Sequence, residues 1–273
     1  MQPGIFFYRV STTDQPLHIV LKPSFCVIAQ GAKETLIGDE ILRYDTAHYL
    51  ITTMPLPLTG KIVKASSEHP YLCVQITLDP QLVTTMMVEA GGALPRGDRA
   101  IKAMNVCQLD PHLLDATLRL VQLTESPDDY RVLAPLVMRE ITYRLLKGNQ
   151  SSRLQHLAKL GGQLHRMAKA VELLQERFNQ PIRIDKLAQE LGMSASGFHA
   201  HFKATTAMSP LQFQKQLRLQ EARRLMLNEH LAAAEAGSRV GYDDASHFSR
   251  EYKRQFGAPP LRDIERLCRL AFD

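Results

Sequence analysis

The stretch that decides the fold runs from Ile184 to Leu261 and contains one unit twice. The first copy is IDKLAQELGMSASGFHAHFKATTAMSPLQF (184–213), and the second is AAAEAGSRVGYDDASHFSREYKRQFGAPPL (232–261). Related residues recur 49 or 50 positions apart: Gly192 and Gly241, Phe198 and Phe248, Phe202 and Tyr252, Lys203 and Lys253, Pro210 and Pro260, Leu211 and Leu261. Recurrence at a fixed spacing is the signature of a repeated structural unit.

Each copy predicts a helix-turn-helix. A short helix ends at a glycine, which tolerates the left-handed backbone conformation of a tight turn. A polar residue then caps the next helix, Ser194 in the first copy and Asp243 or Asp244 in the second. Aromatic residues at i and i+4 anchor that helix in a small core, so its opposite face points outward. Two ordinary helical hairpins are the alternative, and the matched repeat argues against it.

Between the copies lies SPLQFQKQLRLQEARRLMLNE (209–229), which contains no Gly and no internal Pro after its second residue. Its recurring apolar residues predict one helix of about 30 Å at ~1.5 Å per residue. Such a strut can hold two recognition helices roughly 34 Å apart, which is one turn of DNA.

These residues resemble the DNA-binding domain of the AraC/XylS transcription regulators. The signature is VGYDDASHFSREYKRQFGAPPLRD, with eight matching positions in place: Gly241, Phe248, Ser249, Arg250, Lys253, Phe256, Gly257 and Pro260. The resemblance covers about the last 100 residues. ASSEHPYL, LAPLVMREITYRLL and MSPLQFQKQLRLQEARRL further resemble one subgroup of the family.

The resemblance implies which positions read DNA bases. In the first unit they fall on Ser196, His199 and Ala200, where Ala200 departs from the polar or basic residue of many relatives. The corresponding face of the second unit comprises Ala245, Ser246, Ser249 and Arg250. The fork of an arginine matches the O6 and N7 acceptors of guanine. Arg250 has two alternatives, a phosphate contact or a salt bridge to Glu251 or Asp244.

Five further residues are candidate phosphate ligands: Ser194, Lys203, Lys215, Arg218 and Lys253. As a lone charge, each of the four basic residues is more typical of a solvated surface. The net charge of +5 supports a nucleic-acid partner, because residues 163–273 hold 17 Lys and Arg against 13 Asp and Glu. The preceding 162 residues are nearly balanced, with 16 against 15.

The N-terminal part is rich in short alternating segments separated by turn residues. We predict seven strands, at 17–22, 24–30, 33–38, 40–44, 48–53, 60–65 and 71–78. Many short strands at such spacing favour a small barrel or a jelly roll. The resemblance implies the same, a cupin-like β domain that senses a small molecule. The fold class is therefore α+β, with an all-α C-terminal domain.

A binding pocket is favoured over a reaction site in this β domain, although the sequence does not identify the effector-binding residues. Metal-dependent cupins need clustered ligands, and His18, His48 and His69 are isolated. We therefore expect no catalytic residue, no metal and no cofactor. Cys26 and Cys73 are candidates for thiol sensing, and a buried structural role is the alternative.

Residues 110–180 predict helices. Asp110-Pro111 starts one, with a stripe of Leu114, Leu118 and Val121. A second carries Leu133, Val137, Ile141 and Leu145, and it ends near Gly148. These helices either pack on the β domain or also pair with a second copy, as the dimerisation helices of the family do. A third helix, at 151–163, ends in Gly161-Gly162.

That double glycine is the predicted boundary between an effector and dimerisation domain (1–162) and a DNA-binding domain (163–273). Within the latter, a helix from His165 to Phe178 precedes the helix-turn-helix units, which we place at about 184–211 and 232–261.

No signal peptide, apolar span or CxxC pair is evident among 273 residues, and the four cysteines are scattered, so we expect a cytoplasmic protein. The sequence thus predicts a DNA-binding transcription regulator, homodimeric and controlled by a small-molecule effector. RNA polymerase is a partner if the output is activation. The alternatives are a regulator controlled by a protein partner or by its own abundance, and, less favoured, a cupin-type enzyme with a DNA-binding tail.

Overall fold

A computed structural model of the protein describes residues 4–13, 16–90, 101–158 and 162–272. In the N-terminal half these include the strands β1 (Ile5–Val10), β2 (Leu17–Leu21), β3 (Ser24–Gln30), β4 (Ala32–Ile37), β5 (Glu40–Asp45), β6 (His48–Thr52), β7 (Leu56–Lys64), β8 (Tyr71–Thr77) and β9 (Met104–Gln108). The strands form two antiparallel sheets, one in the order β1-β8-β3-β6-β9 and the other in the order β2-β7-β4-β5. This double-sheet domain confirms the predicted α+β class.

The five-stranded sheet is covered on both faces. Cys26 and Ile28 of β3 point into the core between the sheets, whereas Phe25 and Val27 point into a second core beneath helices. This double burial explains why SFCVIAQ is a nearly continuous apolar run, since a strand with only one buried face alternates between apolar and polar residues.

Four helices accompany the sheets in the described part of this half: α1 (Pro80–Glu89), α2 (Pro111–Leu123), α3 (Pro127–Lys147) and α4 (Ser151–Ala158). Asp110 caps α2 as predicted, because its carboxylate accepts from the amide of His112 at 2.9 Å. Gly148 ends α3, also as predicted.

The C-terminal half comprises α5 (Gly162–Glu176), α6 (Ile184–Glu190), α7 (Ala195–Thr206), α8 (Pro210–Asn228), α9 (Ala233–Arg239), α10 (Ala245–Phe256) and α11 (Pro260–Phe272). Helix α8 is the long connecting helix predicted at 209–229, and it has 19 residues. A capping box between Ser209 and Gln212 starts it. Its Phe213 and Leu217 belong to the core around the first unit, and its Leu225 and Met226 to the core around the second.

The sheet domain contacts both helix-turn-helix units. The His18 ring of β2 meets the Phe256 ring of α10 edge-on, with centroids 4.8 Å apart. The amide of Ala103 donates to the carbonyl of Thr205, in the last turn of α7, at 2.9 Å. The β domain therefore touches one end of each second helix of the repeat.

Several expectations need correction. The strands β1 and β9 and the helix α1 were not predicted, and β7 begins four residues before the predicted start at 60. Of the predicted stripe of α2, Leu114 and Leu118 are exposed, and the neighbouring Leu113 and Leu120 are buried instead. Leu133 of α3 is likewise exposed, whereas Val137, Ile141 and Leu145 are buried.

Of the helix predicted at 151–163, the structure describes Ser151–Ala158. Residues 159–161, including Gly161, lie outside the described residues, and Gly162 is the first described residue of α5. The domain boundary at this double glycine stays a prediction.

Candidate nucleic-acid interface

The first unit consists of α6, a turn at Gly192 and α7. Gly192 adopts a φ of +65°, the left-handed conformation that the turn requires. The Ser194 hydroxyl caps α7 by accepting from the amide of Gly197 at 3.2 Å. Phe198 and Phe202 are fully buried, with ring centroids 5.5 Å apart. Because these anchors fix one face of α7 in the core, the opposite face is left to solvent.

The second unit repeats this construction with α9, Gly241 at a φ of +90°, and α10. Asp244, rather than Asp243, caps α10 through a short hydrogen bond from the amide of His247. Phe248 and Tyr252 are buried, and their rings lie 5.6 Å apart. The predicted equivalence of the two copies is therefore confirmed in the geometry of turn, cap and anchor.

The predicted base-reading residues lie on the outward faces of α7 and α10. Six of the seven are exposed, namely Ser196, His199, Ala200, Ala245, Ser246 and Arg250, and Ser249 is half-buried. Both alternative partners of Arg250 are engaged elsewhere: Asp244 is the cap of α10, and Glu251 accepts from other side chains. Within the described ranges no hydrogen bond or ion pair holds Arg250, so its guanidinium is available to a ligand.

Within the described ranges, two of the candidate phosphate ligands have free side chains, and the other three are engaged in contacts within the protein. Lys203 and Lys253 are exposed at equivalent positions of α7 and α10, and neither side chain has an ion-pair partner among the residues that the structure describes. Ser194, also exposed, carries the cap of α7. Lys215 is half-buried and pairs with Glu251 at 3.3 Å.

Arg218 has a structural role that the sequence did not reveal. Its guanidinium donates to the carbonyls of Phe178 at 2.6 Å, Gln180 at 3.0 Å and Gly241 at 2.8 Å. Burial lowers the pKa of this guanidinium. In this structure Arg218 joins α8 to the end of α5 and to the turn of the second unit, and its contact with phosphate stays a prediction.

Sequence reasoning also missed Glu251, which fixes α10 against α8. Its carboxylate accepts from the Tyr242 hydroxyl at 3.0 Å, from Lys215, and from Arg254. Burial is the largest single effect on the pKa of Glu251, and it raises that pKa. The nearby cations and the Tyr242 hydrogen bond together outweigh burial, so the pKa of Glu251 is lowered. The i,i+3 spacing of Glu251 and Arg254 was the one local signal of this network.

A cavity of about 450 Å³ separates β2 from α5 and α8. Its apolar wall includes Ile19, Val20, Phe178 and Leu217, and its polar wall includes Gln220, whose amide donates to the carbonyl of Ile19 at 3.1 Å. The cavity is therefore lined by both the β domain and the DNA-binding helices.

The thiols of Cys26 and Cys73 lie in the core between the two sheets. Burial raises the pKa of Cys26 to about 12 and also raises that of Cys73. Since the thiolate is the reactive form, burial makes these two cysteines structural rather than sensing groups. No cluster of three or more His, Cys, Asp or Glu residues suited to a metal ion occurs in the described ranges. None of the helices described there combines the length and apolar character needed to span a membrane.

Comparison with known proteins agrees with this geometry. Residues 2–153 match the family described as AraC-type transcriptional regulator N-terminus, and residues 187–266 match a helix-turn-helix domain family. The chain is 26% identical over 216 residues to the virulence regulon transcriptional activator VirF of Yersinia enterocolitica, covering 77% of each protein. It is 27% identical over 241 residues to the transcriptional activator RhaS of Escherichia coli, covering 87% of this chain and 80% of RhaS.

A further relative is aligned over less of its length. The transcriptional regulator ArgR of Pseudomonas aeruginosa is 28% identical over 149 residues, which span 54% of this chain and 45% of ArgR. Among solved structures, ToxT of Vibrio cholerae superposes with a TM-score of 0.63 at 12% identity, over 95% of this chain and 97% of ToxT. ToxT bound to an unsaturated fatty acid gives 0.58 at 11% identity, over 97% of each chain. These likenesses establish the fold.

Proposed function

Because this chain belongs to the AraC-type transcriptional regulators, we propose that α7 and α10 read adjacent major grooves of promoter DNA and that a small-molecule effector controls this binding. The chain is a DNA-binding transcription regulator. The assignment of DNA reading to α7 and α10 rests on their equivalence: each helix has a buried aromatic anchor and an exposed opposite face. A recognition helix that enters the major groove needs such a face.

Arg250 is the principal base-reading residue in this proposal. Its guanidinium is exposed and unpaired within the described ranges, and a bidentate contact to guanine satisfies two of its donors. Ser196 and His199 serve the first unit, where Ala200 offers only a methyl group. Lys203 and Lys253 contact phosphates at equivalent positions of the two helices. The domain boundary lies at the double glycine 161–162.

The effector site is the cavity between β2, α5 and α8. A ligand there touches both domains at once, so its binding energy depends on how the domains are arranged. The apolar wall of Ile19, Val20 and Phe178 suits an apolar molecule, and Gln220, whose Oε1 has no hydrogen-bond partner among the described residues, can hold a polar end group. A bound unsaturated fatty acid in the ToxT structure is consistent with this ligand class.

The protein acts as a homodimer in the cytoplasm, with RNA polymerase as its partner if it activates, and it has no catalytic activity. The exposed apolar residues of α2 and α3 support dimerisation: Leu114, Leu118, Val132, Leu133, Leu136 and Tyr143. Control by a protein partner or by abundance is the alternative to control by an effector.

DNA selection with the full-length protein, followed by binding across a salt series, tests the DNA-reading part. Two short motifs about one helical turn apart support the paired recognition helices. Recovery of sequence-independent, salt-sensitive binding alone, with and without added ligand, contradicts sequence reading by these helices.

Thermal unfolding in the presence of unsaturated fatty acids tests the effector site, because a ligand that binds the folded state raises the melting temperature. Val20→Trp fills the cavity and should abolish this rise. Val88→Trp is the matched control, since Val88 lies on α1 and is 73% exposed. Equal stabilisation of both variants places the ligand elsewhere. No stabilisation of the wild type favours control by a partner or by abundance.

A further inference from the structure

Cys107, on β9, lies at the centre of a polar cluster inside an otherwise apolar layer. Its sulfur accepts from the side-chain amide of Asn105 at 3.2 Å and from that of Gln150 at 2.6 Å. Tyr49 lies directly opposite Cys107 on β6, and its phenol faces the same sulfur. Burial, and next Cys107, raise the pKa of Tyr49, so the phenol keeps its proton and remains a donor. A neutral thiol is a weak acceptor, whereas several converging donors suit a sulfur that carries negative charge.

Two members of the cluster have unmet hydrogen-bonding capacity. Gln150 is 1% exposed, its Nε2 points at the sulfur, and its Oε1 has no hydrogen-bond partner. The Nε of Arg153 is shielded from solvent and also lacks a partner. Burial lowers the pKa of Arg153, and the neighbouring Cys107 and Tyr49 oppose that shift. A buried amide oxygen and a shielded guanidinium Nε that lack hydrogen-bond partners in the described ranges are costly, so they indicate a site that another group completes.

Cys107 is half-buried, and a cavity adjoins it. Cys107 lines a cavity of about 570 Å³ between β9 and the C-terminal end of α3, with Tyr49, His112, Tyr143, Arg144 and Lys147 among its other walls. Arg144 pairs with Glu140, which Arg119 also contacts, whereas Lys147 is exposed and has no ion-pair partner in the described part of the chain. Asp110, the one carboxylate among the described residues of the wall, caps α2. The cavity thus offers a small molecule both room and a positive charge.

We propose that Cys107 is a modification site that forms a mixed disulfide with an anionic low-molecular-weight disulfide. The Cys107 sulfur attacks one sulfur of the reagent, a new S–S bond forms, and the old one breaks. The departing thiolate takes up the proton that Cys107 has lost, so one protein thiol and one disulfide give one mixed disulfide and one small thiol. Arg153 and the amides stabilise the attacking sulfur, and Lys147 attracts the carboxylates of the reagent.

Modification at this position acts on α4. Gln150 precedes α4, and its carbonyl accepts from the amide of Leu154 at 2.9 Å in the first turn. The side-chain nitrogen of Gln150 lies 2.6 Å from the Cys107 sulfur. An adduct on that sulfur therefore takes the place of the Gln150 side chain. Displacement of Gln150 therefore loosens the start of α4, the last described helix before the DNA-binding half of the chain.

The chain contains its own controls. Cys26 and Cys73 are buried, and Cys268 of α11 is half-buried like Cys107. With oxidised glutathione and the full-length protein, peptide mapping by mass spectrometry should find Cys107 modified about tenfold or more faster than Cys268. Equal rates at Cys107 and Cys268 overturn the proposal.

Substitutions of Lys147 and Arg153 separate the contributions of these two cations to the rate of modification. Lys147→Gln should slow the reaction with oxidised glutathione severalfold and leave the reaction with uncharged hydroxyethyl disulfide unchanged. Arg153→Gln should slow both reactions, and Arg153→Lys should restore most of the rate. Lys61→Gln is the matched control, because Lys61 is exposed on β7 of the other sheet.

Continued protection of Cys26 and Cys73 shows that each variant is folded. Unchanged rates in folded Lys147→Gln and Arg153→Gln overturn the assigned roles of these cations. Amide hydrogen exchange at 151–158 should accelerate after thiolation of Cys107, and unchanged exchange overturns the coupling to α4.

Discussion

Arg223 and Asp263 form a two-pronged ion pair in the core of the second helix-turn-helix unit. Nε of Arg223 donates to one carboxylate oxygen at 2.8 Å and Nη2 to the other at 2.9 Å. Asp263 is completely buried, and it also accepts from the Tyr252 hydroxyl at 2.9 Å and from Arg266 at 2.7 Å. The pair therefore ties α8, α10 and α11 together behind the recognition surface.

Removing one charge of this pair should be costly. Asp263→Asn keeps the size of the side chain but leaves Arg223 uncompensated in the core, so we expect a loss of about 3–5 kcal/mol in the free energy of unfolding. Urea denaturation monitored by circular dichroism measures it. Glu190→Gln, which breaks the exposed pair with Arg177 (3.1 Å), should cost less than about 1 kcal/mol. Equal losses in the two variants would show that the buried geometry gives no special stability.

His18 should make stability depend on pH. Burial, and next the charge of Arg223, lower its pKa to about 4, while Asp263 raises it and Arg266 lowers it further. The unfolded chain, with a histidine pKa near ~6.5, binds a proton as the pH falls below that value, and the folded protein does not until about pH 4. Stability is therefore fully present above about 6.5 and declines between about 6.5 and 4.

Replacing His18 removes this titration. His18→Gln keeps a polar group near Thr59. When the pH is lowered from 7 to 5, the free energy of unfolding should fall more in the wild type than in this variant. Urea denaturation at the two pH values gives the difference. His69→Gln, at an exposed histidine, should behave as the wild type. Identical losses in wild type and His18→Gln would contradict the assigned burial of the neutral ring.

The helix-turn-helix repeat was predictable because its determinants are local. Gly192 and Gly241 adopt the left-handed turn, and Ser194 and Asp244 cap the next helices, as their residue types indicated. The strand SFCVIAQ was predicted to the residue, because its apolar run fits a strand buried on both faces. Where a short-range rule determines the conformation, the sequence sufficed.

The remainder depended on tertiary contacts. Strand β1, with exposed Phe6, Phe7 and Tyr8, lacks the alternation of a half-buried strand, and its partners in β8 lie 61 to 71 positions further along the chain. The role of Arg218 could not be foreseen, since its acceptors are backbone carbonyls of distant turns. Cys107 was unremarkable in the sequence because Gln150 and Arg153 reach it only through the fold.

The exposed face of α2 and α3 should mediate dimerisation. Leu136 is 60% exposed on the same helix whose Val137 and Ile141 are buried, so a charge at 136 leaves the fold intact. Leu136→Glu should shift the protein from dimer to monomer in analytical ultracentrifugation, because burying an unpaired carboxylate opposes association. Val88→Glu, at a residue that is also exposed but lies on α1, should stay dimeric. A Leu136→Glu protein that remains dimeric would place the interface elsewhere.

Arg250 and Lys253 lie on the same face of α10, and their substitutions should have different signatures. Arg250→Ala removes a base contact, so we expect a cost of about 1–3 kcal/mol at the selected site and a relaxed preference at one base pair. Lys253→Ala removes a phosphate contact, so it should weaken all sequences alike and reduce the salt slope by about one. Binding measured by fluorescence anisotropy on site variants, at several salt concentrations, distinguishes the two. If Arg250→Ala weakens every sequence equally and lowers the salt slope, Arg250 contacts phosphate, and base reading by the second unit must come from Ser246 and Ser249.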